Sequence, residues 1–93
     1  MPTAEQEVTI LNKYGLHARP AMQLVGLANG YGSKIELCTN SLTVDAKSIM
    51  SVMRLGAGKG TVLRVVADGA DADEAAKAMV DLVNSGFGEM EDE

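Results

Sequence analysis

The 93-residue chain holds a single cysteine, a single histidine, a single phenylalanine and no tryptophan. One cysteine, Cys38, can form neither an internal disulfide nor a cysteine-based zinc site, so nothing points to an oxidising compartment. With aromatic residues at 3%, the core must be aliphatic, and six methionines are available as adaptable filler. No apolar run approaches the roughly 20 residues that cross a bilayer, and the acidic start is unlike a signal peptide. Cytoplasmic residence, without membrane insertion, is the expectation. Lys and Arg number 8 against 13 Asp and Glu, a net charge of −5, so the basic face of a nucleic-acid binder is missing.

What is present is ordinary for a globular chain: 46% hydrophobic and 23% charged residues, enough for a single core. Residues 1–93 therefore read as one domain. Glu89, Glu91, Asp92 and Glu93 form an acidic tail over 89–93 that is expected to be flexible. Residues 7–11 alternate, with Val8 and Ile10 on one side, as a half-buried strand does. Over 18–29 the period changes to three and four, with Ala21, Leu24, Val25 and Ala28 on one helix face and Gly30 and Gly32 as left-handed caps. A second strand over 34–39 turns Ile35 and Leu37 inward and Cys38 outward; a turn at Asn40-Ser41 leads to a short partner over 42–45.

Ser48 then caps a short helix to Arg54 with Ile49, Val52 and Met53 on one side, and 61–67 is the last strand. The final helix carries Ala72, Ala75, Ala76, Met79, Leu82 and Val83 as its apolar stripe. It opens on a capping box from Asp71 to Glu74, pairs Asp73 with Lys77, and ends at Gly86. Strands with one polar face call for an antiparallel sheet covered on one side by helices, an α+β open-faced sandwich.

The candidate site is Gly15-Leu16-His17-Ala18-Arg19-Pro20. Proline is tolerated in a first helical turn, so His17 should stand at a helix N-terminus. A lone histidine near a turn is most often a polar surface residue. Here free backbone N–H groups, a positive dipole end and a guanidinium converge with it, which suits a phosphoryl group. A neutral imidazole in that place offers a lone pair as nucleophile. Gly58-Lys59-Gly60-Thr61 lacks the spacing of a nucleotide-binding loop and precedes a strand.

Gly15-Leu16-His17-Ala18-Arg19-Pro20-Ala21 resembles the active-site segment of HPr, the histidine-containing phosphocarrier family of the bacterial phosphoenolpyruvate:sugar phosphotransferase system. The stretch from Lys47 to Gly56 resembles the regulatory-serine segment of the same family. The resemblance implies a four-stranded antiparallel sheet in the order 1-4-2-3 with three helices on one face. It implies a stoichiometric carrier rather than an enzyme: His17 accepts phosphate on Nδ1 from enzyme I and passes it to IIA proteins or domains. Arg19 and the backbone N–H groups of Ala18 and Arg19 would hold the phosphate, with no metal or other cofactor. Ser48 would be the target of an HPr kinase/phosphorylase.

Docking would use Leu16, Pro20, Met22, Met50 and Met53 as an apolar patch joining the two helix starts, with Lys47 and Arg54 as a basic rim. The protein is expected to be a monomer. Tyr14, before the glycine, and Gly26, within the helix, depart from the usual pattern and bear on partner choice. Two other readings are a regulatory carrier of the nitrogen-related branch (NPr-like) and a Ser48-phosphorylated co-regulator that binds without sugar transport. A conventional enzyme would need an acid or base beside His17, and its own segment contains no Asp or Glu.

Overall fold

The computed structural model describes residues 2–89. Its elements are β1 (Thr3–Thr9), α1 (Ala18–Ala28), β2 (Lys34–Cys38), β3 (Thr43–Asp45), α2 (Ile49–Arg54), β4 (Val62–Asp68) and α3 (Ala72–Asn84), followed by a 3-10 turn at Gly86–Gly88. The strands form one antiparallel sheet in the order β1-β4-β2-β3. This is the open-faced α+β arrangement that the alternating strands call for.

The period-2 pattern decides which face the helices cover. Ile35 and Leu37 of β2 and Leu63, Val65 and Ala67 of β4 are fully buried, and α1 and α3 lay Ala21, Leu24, Ala28, Ala75, Ala76, Met79 and Val83 over them. Each Val, Leu, Ile or Met among them contributes about 1.5–3 kcal/mol before entropy is counted, and each Ala about 1 kcal/mol or less. On the opposite face Glu7, Arg64 and Cys38 stand side by side across β1, β4 and β2. Cys38 points outward as its register requires, yet only 5% of it is exposed because its neighbours cover it. Among the described residues no helix is long and apolar enough to cross a membrane.

Several local expectations change. β1 begins at Thr3 and ends at Thr9, starting earlier than the alternation over 7–11 and stopping before Ile10. Neither Gly30 nor Gly32 is left-handed; α1 ends through Asn29, whose N–H bonds to the carbonyl of Val25. In α2 only Val52 is buried, and Ile49 and Met53 face solvent, because a six-residue helix turns few positions inward. Lys77 pairs with Asp81 at 2.8 Å instead of with Asp73. Leu82 at the edge of the α3 stripe is half-buried.

Asp71 makes no capping hydrogen bond on its own helix. Its carboxylate instead accepts from the backbone N–H groups of Gly32 and Ser33 at 3.0 and 2.9 Å, and from the Ser33 hydroxyl. It therefore ties the α1–β2 loop to the start of α3. The Ser33 hydroxyl first, and then the Gly32 amide, hold its pKa below the ordinary value. A folded-state pKa below the unfolded one stabilises the fold above the unfolded pKa and ceases to do so as pH falls through the folded one. Asp71→Asn is thus expected to lower the melting temperature at neutral pH, and the gap from wild type should close below about pH 4. Thermal denaturation of both proteins across pH checks this.

Candidate functional site

The loop from β1 to α1 is built by a buried asparagine and a left-handed glycine. Asn12, with no exposed surface, donates from Nδ2 to the carbonyl of Gly15 at 2.8 Å. Gly15 has φ +61°, a conformation costly for residues carrying a Cβ. The next residue, Leu16, donates its N–H to the Ala57 carbonyl at 2.9 Å, locking this loop to the one after α2. Leu16 is 5% exposed and belongs to the core, and Pro20 is buried as well. Neither can line a docking patch.

His17 is the extended residue that caps α1, with φ −73° and ψ −175°, and its side chain makes no capping hydrogen bond. The ring projects outward with 41% of the side chain exposed. Tyr14 meets it edge to face, ring centroids 6.1 Å apart, with the Lys13 ammonium over the Tyr14 ring. Ala18 and Arg19 follow in the first turn, both exposed, where helix amides have no intrahelical acceptor.

The acid that His17's own segment lacks arrives from the other end of the chain. Glu89 places both carboxylate oxygens on Nε2 of His17, at 2.8 and 3.0 Å, and its Oε1 also accepts from Asn12 Nδ2 at 2.9 Å. Glu89 is therefore docked, in correction of the expectation of a flexible tail from 89; residues 90–93 lie outside those described. Gly86, Phe87 and Gly88, with φ values of 71°, 59° and 76°, curl the chain back after α3. Phe87, the one phenylalanine, is 3% exposed and anchors this hook, and Gln23 of α1 donates to its carbonyl at 3.2 Å.

Burial pushes the Glu89 carboxyl up, but hydrogen bonds from His17 and Asn12 and the charges of His17 and Arg19 hold it below the ordinary value. An ionised carboxylate only accepts, so the proton of a neutral imidazole here sits on Nε2 and the lone pair on Nδ1. Nδ1 makes no hydrogen bond to the described residues.

The second segment lies elsewhere than expected. Ser48 caps α2, accepting from the Ser51 N–H at 3.3 Å. Asn29 at the end of α1 donates to the Lys47 carbonyl, whereas the loop after α2 meets Gly15 and Leu16. The start of α2 therefore lies by the C-terminal end of α1, the end away from His17, so the two helix starts are not brought together. Lys47 donates to the Tyr31 carbonyl at 2.7 Å. Arg54 is exposed, and Met22, Met50 and Met53 are 63%, 73% and 41% exposed. Among the described residues no group of three or more His, Cys, Asp or Glu could hold a metal ion.

An open-faced sandwich carrying one accessible imidazole at the head of its first helix defines the class. Residues 4–85 match the PTS-HPr family, described as the PTS HPr component phosphorylation site. The phosphocarrier protein HPr of Pseudomonas aeruginosa is 49% identical over 86 residues, spanning 91% of this chain and 96% of that protein. The phosphocarrier protein NPr of Escherichia coli K12 is 40% identical over 88 residues, 94% of this chain and 98% of that one. The crystal structure of HPr-C-His from Thermoanaerobacter tengcongensis is similar with a TM-score of 0.89 at 46% identity, covering 92% of this chain and 97% of that chain. The chain belongs to the HPr family of phosphocarrier proteins of the phosphotransferase system.

Proposed function

We propose that this protein accepts a phosphoryl group from phospho-enzyme I on Nδ1 of His17 and hands it to IIA proteins or domains. It acts as a monomeric, stoichiometric carrier in the cytoplasm and not as an enzyme turning over alone. The observation that supports this most is the half-exposed ring whose Nε2 is occupied by Glu89 while Nδ1 has no partner among the described residues. Phosphoryl transfer is largely positioning and charge stabilisation. The Arg19 guanidinium and the amides of Ala18 and Arg19 stand within the same helical turn and would hold the phosphoryl oxygens. The chemistry needs no metal or other cofactor. Incubation with enzyme I, labelled phosphoenolpyruvate and then a IIA protein tests the reading: label should pass through this chain to IIA, and none should reach IIA without it.

Met22, Met50 and Met53, with Arg54 beside them, are the docking surface in this reading. Ser48 is a second phosphorylation site, for an HPr kinase/phosphorylase. Phosphate there adds about −1.5 to −2 charges at the far rim of that surface rather than at the imidazole. Ser48→Asp is expected to slow phosphorylation by enzyme I through a raised KM; equal rates and KM would exclude a docking effect. The identity to NPr supports a second reading, a regulatory carrier of the nitrogen-related branch that uses the same imidazole for other partners. Transfer rates to IIA proteins of the two branches separate these readings.

A further inference from the structure

We propose that Glu89 is a positioning residue for phosphoryl transfer: its carboxylate, steered by Asn12, holds the Nε2 proton of His17 and keeps the Nδ1 lone pair available. The inference deepens the phosphocarrier reading and rests on it. Three features of the structure carry it. Glu89 contacts Nε2 with both oxygens, at 2.8 and 3.0 Å, and only 13% of its side chain is exposed. Asn12 spends both of its amide hydrogens on this arrangement, one on the Gly15 carbonyl within the His17 loop and one on Glu89. One buried side chain therefore sets the distance between that loop and the hook that delivers the carboxylate. The hook is itself fixed by the left-handed run at Gly86–Gly88 and the buried Phe87 ring.

The chemistry follows from where the charge goes. The Nδ1 lone pair forms the new P–N bond as the bond from phosphorus to the donor's leaving atom breaks, and that electron pair returns to the donor. The Nε2 proton of His17 stays in place throughout. The His17 ring gains a positive charge as it gains the phosphoryl group, and Glu89 faces that charge across a short hydrogen bond. A carboxylate behind a reacting imidazole holds its tautomer and offsets the developing imidazolium. Without it a neutral ring can place its proton on Nδ1, where attack is blocked, and the phosphorylated ring has no counter-charge. Glu89 never touches phosphorus, so its effect passes entirely through the ring.

Ring 15N spectra of the unphosphorylated protein, recorded where the imidazole is neutral, test the contact directly. Wild type should show Nε2 protonated and Nδ1 not, and Glu89→Ala should show a mixture of the two tautomers. With enzyme I, Glu89→Ala should lower kcat roughly ten-fold, the low end of what losing the partner behind a metal-bound histidine costs, with KM unchanged. Glu89→Gln keeps a hydrogen-bond acceptor without the charge; it should retain the wild-type tautomer and an intermediate rate. Identical ring spectra for wild type and Glu89→Ala would overturn the proposal, as would a kcat within about two-fold of wild type. If wild type accepts phosphate normally and Glu89→Ala matches it, this inference fails and the carrier reading stands. If wild type accepts none, the carrier reading fails, and the inference with it.

Discussion

Replacing His17 by alanine is expected to abolish phosphoryl acceptance while leaving the fold in place. The chain has no other imidazole, so no second histidine can take its place as acceptor. The ring caps nothing in α1, and 41% of it faces solvent. What the fold loses is the hydrogen bond to Glu89 and the edge contact with Tyr14, together worth about 1–3 kcal/mol. The measurement pairs phosphoenolpyruvate-dependent labelling with thermal denaturation. An acid-labile label persisting in His17→Ala would place the acceptor elsewhere. A collapse of the melting transition would mean that the ring holds the fold rather than serving a partner.

Gly15→Ala should be among the most damaging single-methyl additions to this chain. With φ at +61°, an alanine there pays a left-handed penalty, and its Cβ would run into the Ala57 carbonyl oxygen and lie 2.7 Å from Gly58 Cα. Both obstacles are backbone, and the hydrogen bond from Leu16 N–H to the Ala57 carbonyl already pins the two loops together. The expected loss is about 2–4 kcal/mol, or roughly 10–25 °C in melting temperature for a chain of this size. The shift should also carry His17 away from Glu89, so the folded fraction transfers phosphate slowly. Gly26→Ala is the control: nothing lies within 4 Å of a Cβ there, and mid-helix alanine should stabilise by up to about 1 kcal/mol. Comparable melting temperatures for the two variants would contradict this picture of the loop.

Periodicity makes most of the fold legible in the sequence. Val8, Ile35, Leu37, Leu63 and Val65 alternate because each strand has one wet face, and Ala21, Leu24 and Ala28 repeat because α1 has one dry one. The first half of β1 carries no such signal, since Thr3, Glu5 and Gln6 are exposed. It is a strand because β4 offers a continuous edge, with Thr3 opposite Asp68 and Gln6 opposite Val65. Asp71 reads locally as a helix cap, yet the Gly32–Ser33 loop competes for its carboxylate and takes it.

The candidate site divides the same way. His17, Arg19 and Pro20 lie together in sequence and can be read together. Asn12 and Glu89 cannot, because an acid 72 positions from the histidine is joined to it only by the way the chain closes. The signal that existed was Gly86-Phe87-Gly88, a lone aromatic between two glycines, marking a sharp return at the point where a frayed tail was expected. The docking residues divide by burial, which short apolar segments do not reveal: Leu16 and Pro20 went to the core and Met22 and Met50 to the surface.

The most direct test of the central claim is a 31P and 15N spectrum of the wild-type protein after incubation with enzyme I and phosphoenolpyruvate. The expected result is a single phosphoryl group coupled to Nδ1 of His17, with the Nε2 proton still in place. Phosphorus on Nε2, on a side-chain oxygen, or on no residue of this chain would contradict it.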